Sequence, residues 1–154
     1  MNLNLVKALP ENETLLSLRE ASGVSPIKLS EGLGYTYRMY CYKENGTQTL
    51  NIGEINLLLI LFGKHPHWSL CGDLPIEKAI DLLISEAPTS EEVRAVRLAL
   101  GLTTKVIAEE LGYKHDSWRT KESAAKRGTL KMPEYNLLRL ILGDHPSLKI
   151  QAKR

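Results

Sequence analysis

The chain contains an internal repeat, and this repeat constrains the fold more than composition does. Residues 10–44 align with residues 88–122 after a shift of 78, with eleven identities in 35 positions. Residues 49–66 align with residues 129–146 after a shift of 80, with nine identities in 18 positions. The order of glycines, prolines and leucines is kept, which predicts one structural unit used twice. The identical pairs include Arg19/Arg97, Gly34/Gly112, Glu44/Glu122, Glu54/Glu134, Asn56/Asn136 and His65/His145.

The length of the chain fits two small domains. Its 154 residues allow two units of about 65 residues each, joined by a short connection. The predicted units are residues 1–72, a connecting segment at 73–86, and residues 87–154. Residues 1–86 carry a net charge of −3 and residues 87–154 a net charge of +5, which together give the overall +2. This asymmetry predicts that the two copies have different roles.

The composition is that of a soluble globular protein, with 43% hydrophobic and 25% charged residues. No apolar run approaches the roughly 18–20 residues needed to span a bilayer, and the N-terminus lacks a signal-peptide pattern, so a cytoplasmic protein without a membrane segment is expected. Cys41 and Cys71 lie outside the aligned identities. A disulfide duplicated with its domain would have partners in both copies, so two free thiols are expected.

Helix start and stop signals recur through both copies. Thr89 with Glu92 forms a capping-box pattern that opens a helix, and Gly101 ends it. Thr103 caps a short second helix, which Gly112 ends. The predicted third and fourth helices of this copy cover about residues 115–125 and 134–142, and the first copy has predicted helices at 13–22, 25–33, 36–44 and 52–62.

The apolar residues recur at spacings of three and four, without an alternating run bounded by hairpin turns. A further helix is predicted at residues 76–85, either closing the first bundle or bridging the two bundles. The chain is therefore predicted to be all-α, with two tandem bundles of four to five helices joined by a helical linker.

One segment of the second copy carries a family resemblance. From Arg97 to Gly112 the sequence reads R-x-x-x-G-L-T-T-x-x-I-A-x-x-L-G. This pattern resembles the lambda-repressor/Cro-like helix-turn-helix family, and the later Trp118 and Pro133 with its leucine-rich helix also fit. A small Ala108 lets two helices cross closely, and a glycine permits the sharp turn between them. The resemblance implies that the next helix lies at the surface and enters a DNA major groove.

The chain departs from the family at several positions. Thr104 stands where the family often has a glutamine that reaches a phosphate, and Lys121 stands where it often has a tryptophan. In the first copy Ser30 replaces the alanine, and Gly32 is expected to weaken the second helix by up to about 1 kcal/mol.

The resemblance assigns DNA contacts to the helix that begins near residue 115. Arg119 can pair with a guanine, and Asp116 can accept from a cytosine amine or orient Arg119. Lysines suit phosphates, which demand charge but little geometry. An ordinary solvated helix face is the alternative interpretation. The candidate residues of this copy are Thr104, Lys105, Lys114, His115, Asp116, Ser117, Arg119, Thr120, Lys126 and Arg127.

The equivalent helix of the first copy has a different composition. Tyr37 and Arg38 are candidate DNA contacts. Tyr40 aligns with Trp118, and both residues are predicted to lie in the core. Tyr37, Met39 and Tyr42 on one exposed helix also suit a protein interface. The first copy is therefore either a second DNA reader or an interaction or dimerisation domain.

The histidines do not predict a metal site. His65 and His145 follow a helix-ending glycine, where either a partially charged imidazole or a hydrogen bond to free carbonyls is expected. No second ligand pair at zinc spacing accompanies them or His67. No catalytic motif is present, so neither an enzyme nor a cofactor or small-molecule ligand is expected.

The resemblance implies a sequence-specific double-stranded DNA-binding regulator, and a repressor of the kind found on phages and other mobile elements by analogy. Related domains often bind palindromes as dimers, with half-sites about 34 Å apart. Here one chain supplies both readers, or two chains form a homodimer through the N-terminal repeat. The alternative is a helix-turn-helix scaffold that binds another protein as an inhibitor or adaptor.

Overall fold

The computed structural model describes residues 3–123 and 130–153. These residues form nine α-helices and one two-stranded antiparallel sheet, which confirms the predicted, mostly helical class. The elements are α1 (Leu15–Ser22), α2 (Pro26–Gly32), α3 (Tyr37–Glu44), α4 (Ile52–Leu61), β1 (Trp68–Leu70), α5 (Ile76–Asp81), α6 (Ser90–Ala99), α7 (Thr104–Leu111), α8 (His115–Ser123), α9 (Met132–Leu142) and β2 (Ile150–Ala152).

The helices begin where the sequence supplies side-chain caps. At the start of α6 the Glu92 amide donates to Thr89 Oγ1 over 3.2 Å, and the Glu92 carboxylate accepts from the Thr89 amide over 3.0 Å. Thr103 accepts from an amide of α7 in the same way. Asn51 and Glu54 form a second capping box at the start of α4. These reciprocal bonds satisfy amides that have no partner inside the helix.

The centre of the protein is the contact between α4 and α9. All residues of α4 from Gly53 to Leu61 are buried, and so are residues 133–138 of α9. The helices approach closely at Gly53, since a Cβ there would overlap the Glu134 side chain. Helices from both repeats contribute to one hydrophobic cluster around this contact. Each repeat therefore buries its longest apolar helix against the other.

The connecting helix α5 packs on the first repeat, against α2 and α4. Gly32 leaves room for Ile80, whose Cγ2 would overlap a Cβ at that position. Lys28 forms an ion pair with Asp81 beside this contact. Gly32 was expected only to weaken its helix, but here it allows two helices to approach.

Helix α5 ends at Asp81, four residues before its predicted end. The amides of Leu82 and Leu83 bond three residues back, to Ala79 and Ile80, which tightens the last turn. Beyond this turn the amide and carbonyl of Ile84 bond to the Asn136 side chain, so the chain leaves the helix there.

The sheet was not predicted. Strands β1 and β2 are antiparallel, with Trp68 opposite Ala152 and Leu70 opposite Ile150. Three residues are too few to show an alternating pattern, and the partners are about 80 positions apart rather than joined by a hairpin turn. The sheet connects the two repeats a second time.

A buried histidine–asparagine pair occurs once in each repeat. In the first repeat, Nε2 of His65 donates to Oδ1 of Asn56 over 2.7 Å. In the second, Nε2 of His145 donates to Oδ1 of Asn136 over 2.8 Å. Each Nδ1 accepts two backbone amides of the following residues, at 3.1–3.2 Å. The prediction of a partly charged ring or of a bond to free carbonyls was wrong for both histidines, because each ring accepts backbone amides at Nδ1 and bonds to an asparagine at Nε2. Burial lowers the pKa of both histidines to about 4, so both are neutral at pH 7.

The same asparagines hold the segments that precede α1 and α6, the first helix of each repeat. Asn56 pairs with the Val6 amide and carbonyl at 2.9 and 2.8 Å. Asn136 pairs with the Ile84 amide and carbonyl at 2.8 and 3.2 Å. A side-chain amide thus replaces a neighbouring strand for each of these two segments.

Candidate nucleic-acid interface

Helix α8 is anchored by its inner face. Trp118 is fully buried, as predicted, and its indole Nε1 donates to the Glu122 carboxylate. The same carboxylate accepts two hydrogen bonds from Arg97, at 2.6 and 3.0 Å. Arg97 also donates to the Leu102 carbonyl over 2.8 Å. One guanidinium thus joins α6, the start of α7 and the end of α8, which restrains the position of the candidate reading helix.

The turn between α7 and α8 is fixed to the centre of the protein. Gly112 has a φ of +77°, which a side chain rarely permits, and a Cβ there would come 2.9 Å from Ile52. The next residue, Tyr113, donates its hydroxyl to the Glu134 carboxylate at 2.6–2.7 Å. Burial raises the pKa of Glu134, against the opposing effect of the Tyr113 hydroxyl. The turn is therefore bonded to the first turn of α9.

The outer face of α8 is exposed. Arg119 is exposed and forms no hydrogen bond or ion pair with any other residue that the structure describes. The hypothesis that Asp116 orients Arg119 is not matched by a bond between them in the described residues. Instead the Asp116 carbonyl accepts from the Thr120 hydroxyl over 3.0 Å. The exposed candidates are Lys105, Lys114, His115, Asp116, Ser117, Arg119 and Thr120.

Two candidate residues from different helices meet at this surface. Thr104 is half-buried at the start of α7, and its hydroxyl lies 2.7 Å from Nε2 of His115 at the start of α8. The amino-terminal ends of the two helices therefore form one continuous polar surface. Lys126 and Arg127, the remaining candidates in this repeat, lie outside the described residues.

Lys121 takes a different role from the tryptophan that the family often has there. Its ammonium lies 4.5 Å from the centre of the Tyr113 ring, a cation–π distance.

Sequence reasoning did not single out Tyr113 or Glu134. The available signal was the repeat itself, because both residues are identical in the two copies.

Helix α3 of the first repeat has the same anchor but a different surface. Arg19 donates to Glu44 over 2.8 and 2.9 Å and to the Val24 carbonyl over 3.1 Å. Tyr40 is buried, as predicted from its alignment with Trp118. The two candidate reading helices are therefore held by equivalent arginine–glutamate contacts.

The outer face of α3 is apolar and aromatic rather than basic. Tyr37 is 49% exposed and Met39 is 42% exposed. The guanidinium of Arg38 donates to the Tyr42 hydroxyl over 2.9 Å and lies 5.8 Å from the centre of that ring. This face offers one cation and two large exposed side chains.

A metal centre is not formed by the residues in ranges 3–123 and 130–153, where no three histidine, cysteine or acidic side chains come together. Cys41 and Cys71 are unpaired, as expected. None of the described helices is both long and apolar enough to cross a membrane.

Comparison with protein-family models, with curated proteins and with solved structures finds no significant match to this chain.

Proposed function

We propose that the protein is a sequence-specific double-stranded DNA-binding protein of the helix-turn-helix type, built by tandem duplication, which regulates transcription as a repressor. The observation that carries the proposal is the contrast between the two faces of α8. Its inner face is anchored by Trp118 and the Arg97–Glu122 pair, whereas its outer face exposes Arg119, which has no bond to any other described residue. A restrained helix with an exposed guanidinium suits direct contacts to base edges.

The charge distribution supports the same proposal. Residues 87–154 carry a net charge of +5, and exposed lysines lie in the first turn of α7 (Lys105) and directly before α8 (Lys114). Cations at such positions neutralise phosphates and release counterions, which supplies much of the affinity for DNA.

The test is selection of bound sequences from a random duplex pool with the full chain, followed by titration of the enriched duplex. Arg119→Ala is expected to lose about 1–3 kcal/mol of discrimination between the selected and a scrambled duplex. Lys149→Ala removes the same charge from an exposed position beside β2 and serves as the matched control. Equal discrimination by the two variants would reject α8 as the reader.

A second candidate function is supported by the exposed Tyr37 and Met39 on α3. Aromatic residues and methionine are enriched in protein interfaces, so this face suits an inhibitor or adaptor that binds another protein. If α3 instead pairs two copies, light scattering will give twice the 17.3 kDa of one chain. Two results together argue against both the adaptor and the dimer. One is an enriched duplex whose affinity falls in Arg119→Ala, and the other is that this duplex is bound by a single chain.

A further inference from the structure

The two repeats contact each other through reciprocal pairs of residues. Gly34, before α3, lies against Met132, the first residue of α9. Gly112, before α8, lies against Ile52, the first residue of α4. The alignment of the repeats converts each pair into the other, since Gly34 aligns with Gly112 and Ile52 with Met132. Such exchange of equivalent contacts is the property of a two-fold interface.

The sheet gives the same relation independently. Leu70 is opposite Ile150, and these two residues are equivalent after the shift of 80. In an antiparallel ladder, a residue paired with its own equivalent lies on a two-fold axis. The approximate axis therefore passes through the Leu70–Ile150 pair and between α4 and α9.

The two candidate reading helices begin beside the same junction. The first turns of α4 and α9 meet where Gly53 packs against Glu134. The turns before α3 and α8 touch the first residues of these same helices. Both candidate reading helices therefore begin at the same end of the shared α4–α9 interface.

From this geometry, and resting on the proposed function, we infer that one chain binds one duplex at a site with two unlike half-sites, one read by α8 and the other by α3. A two-fold pair of readers sets two half-sites in inverted orientation. The surface through which a second copy would repeat this arrangement is already used, because α4 is buried against α9 within the chain.

The half-sites are unlike because the exposed residues of the two helices differ. The Arg38 guanidinium can pair with a guanine, and the exposed Tyr37 and Met39 can contact thymine methyl groups. The α8 positions are polar and carry Asp116, which accepts from a cytosine amine. The aligned pairs are Tyr37/His115, Arg38/Asp116, Met39/Ser117, Cys41/Arg119 and Tyr42/Thr120.

The first experiment is the mass of the complex on the selected duplex. We expect a bipartite, non-palindromic site and one chain per duplex in sedimentation equilibrium. A palindromic site occupied by two chains would overturn the inference while leaving the proposed function intact. Enrichment of no duplex at all would instead reject the proposed function.

The second experiment pairs reader variants with half-site changes. Scrambling the α8 half-site is expected to weaken the wild type by roughly 10- to 100-fold, and to have little effect on Arg119→Ala. Arg38→Ala is the matched variant on α3 and is expected to lose sensitivity to the other half-site only. If Arg38→Ala and Tyr37→Ala respond to both half-sites as the wild type does, α3 is not a reader and the inference fails.

Discussion

Acidification is predicted to destabilise the protein through His65 and His145. Both rings are buried, and each uses Nδ1 as an acceptor for two backbone amides. Protonation at Nδ1 removes that acceptor and places a charge in the interior. The unfolded chain therefore binds these protons more readily than the folded chain, and stability falls as the pH falls.

The magnitude follows from the two pKa values. Both lie at about 4 in the folded protein, against about 6.5 for an unperturbed histidine. Their stabilising contribution is complete above about pH 6.5 and is lost as the pH falls toward 4. At pH 5 the loss is about 2 kcal/mol for each histidine, so about 4 kcal/mol for both. This is a large part of the roughly 5–15 kcal/mol that stabilises an ordinary domain.

The assay is urea unfolding at a series of pH values between 7.5 and 4.5, on the order of half a unit apart, followed by circular dichroism. The double variant His65→Gln/His145→Gln is expected to be less stable at neutral pH but to lose about 4 kcal/mol less than the wild type between pH 7 and pH 5. His67→Gln changes an exposed histidine next to the same network and serves as the control.

The prediction is refuted if the free energy of unfolding falls with pH equally in the wild type and in the double variant over this range. That result would show that the two imidazoles accept protons as easily in the fold as in the unfolded chain. A flattened profile for His67→Gln alone would assign the effect to the exposed ring.

Three other changes test the fold. Trp118→Ala should cost about 3–5 kcal/mol in unfolding experiments, because it empties a fully buried site, and a melting temperature equal to that of the wild type would show otherwise. Gly32→Ala should cost about 1–3 kcal/mol, because its Cβ overlaps Ile80, and a neutral result would mean that α5 is free to shift. Residues 87–154 alone should self-associate, because α9 loses α4, and light scattering that finds a folded monomer would contradict this.

The helices were predictable because their signals are local. Thr89 with Glu92, Thr103 and Gly112 act within a few residues of the helix ends they set. Trp118 was predictable as a core residue because the repeat places it at an apolar position with tyrosine as its equivalent. The exposure of the α8 candidates was expected from the family resemblance and not from the repeat.

The features that were missed depend on residues distant in the chain. The β1–β2 ladder joins segments about 80 positions apart, and the Asn136–Ile84 bonds span 52 positions. Gly32 gave no sequence signal of its packing role, since that role depends on Ile80 in another helix. The contact between α4 and α9 likewise cannot be read from local spacing, because a buried helix has the same pattern in a separate bundle and in a shared core.

The contact between α4 and α9 also sets how the protein responds to its own concentration. Two separate chains that meet through such a contact dissociate on dilution, and their stability depends on protomer concentration. Here both helices belong to one chain, so the contact persists at any dilution. For the proposed DNA binding by one chain, occupancy of a site below saturation would rise in proportion to the amount of chain, without the threshold that assembly of a dimer imposes.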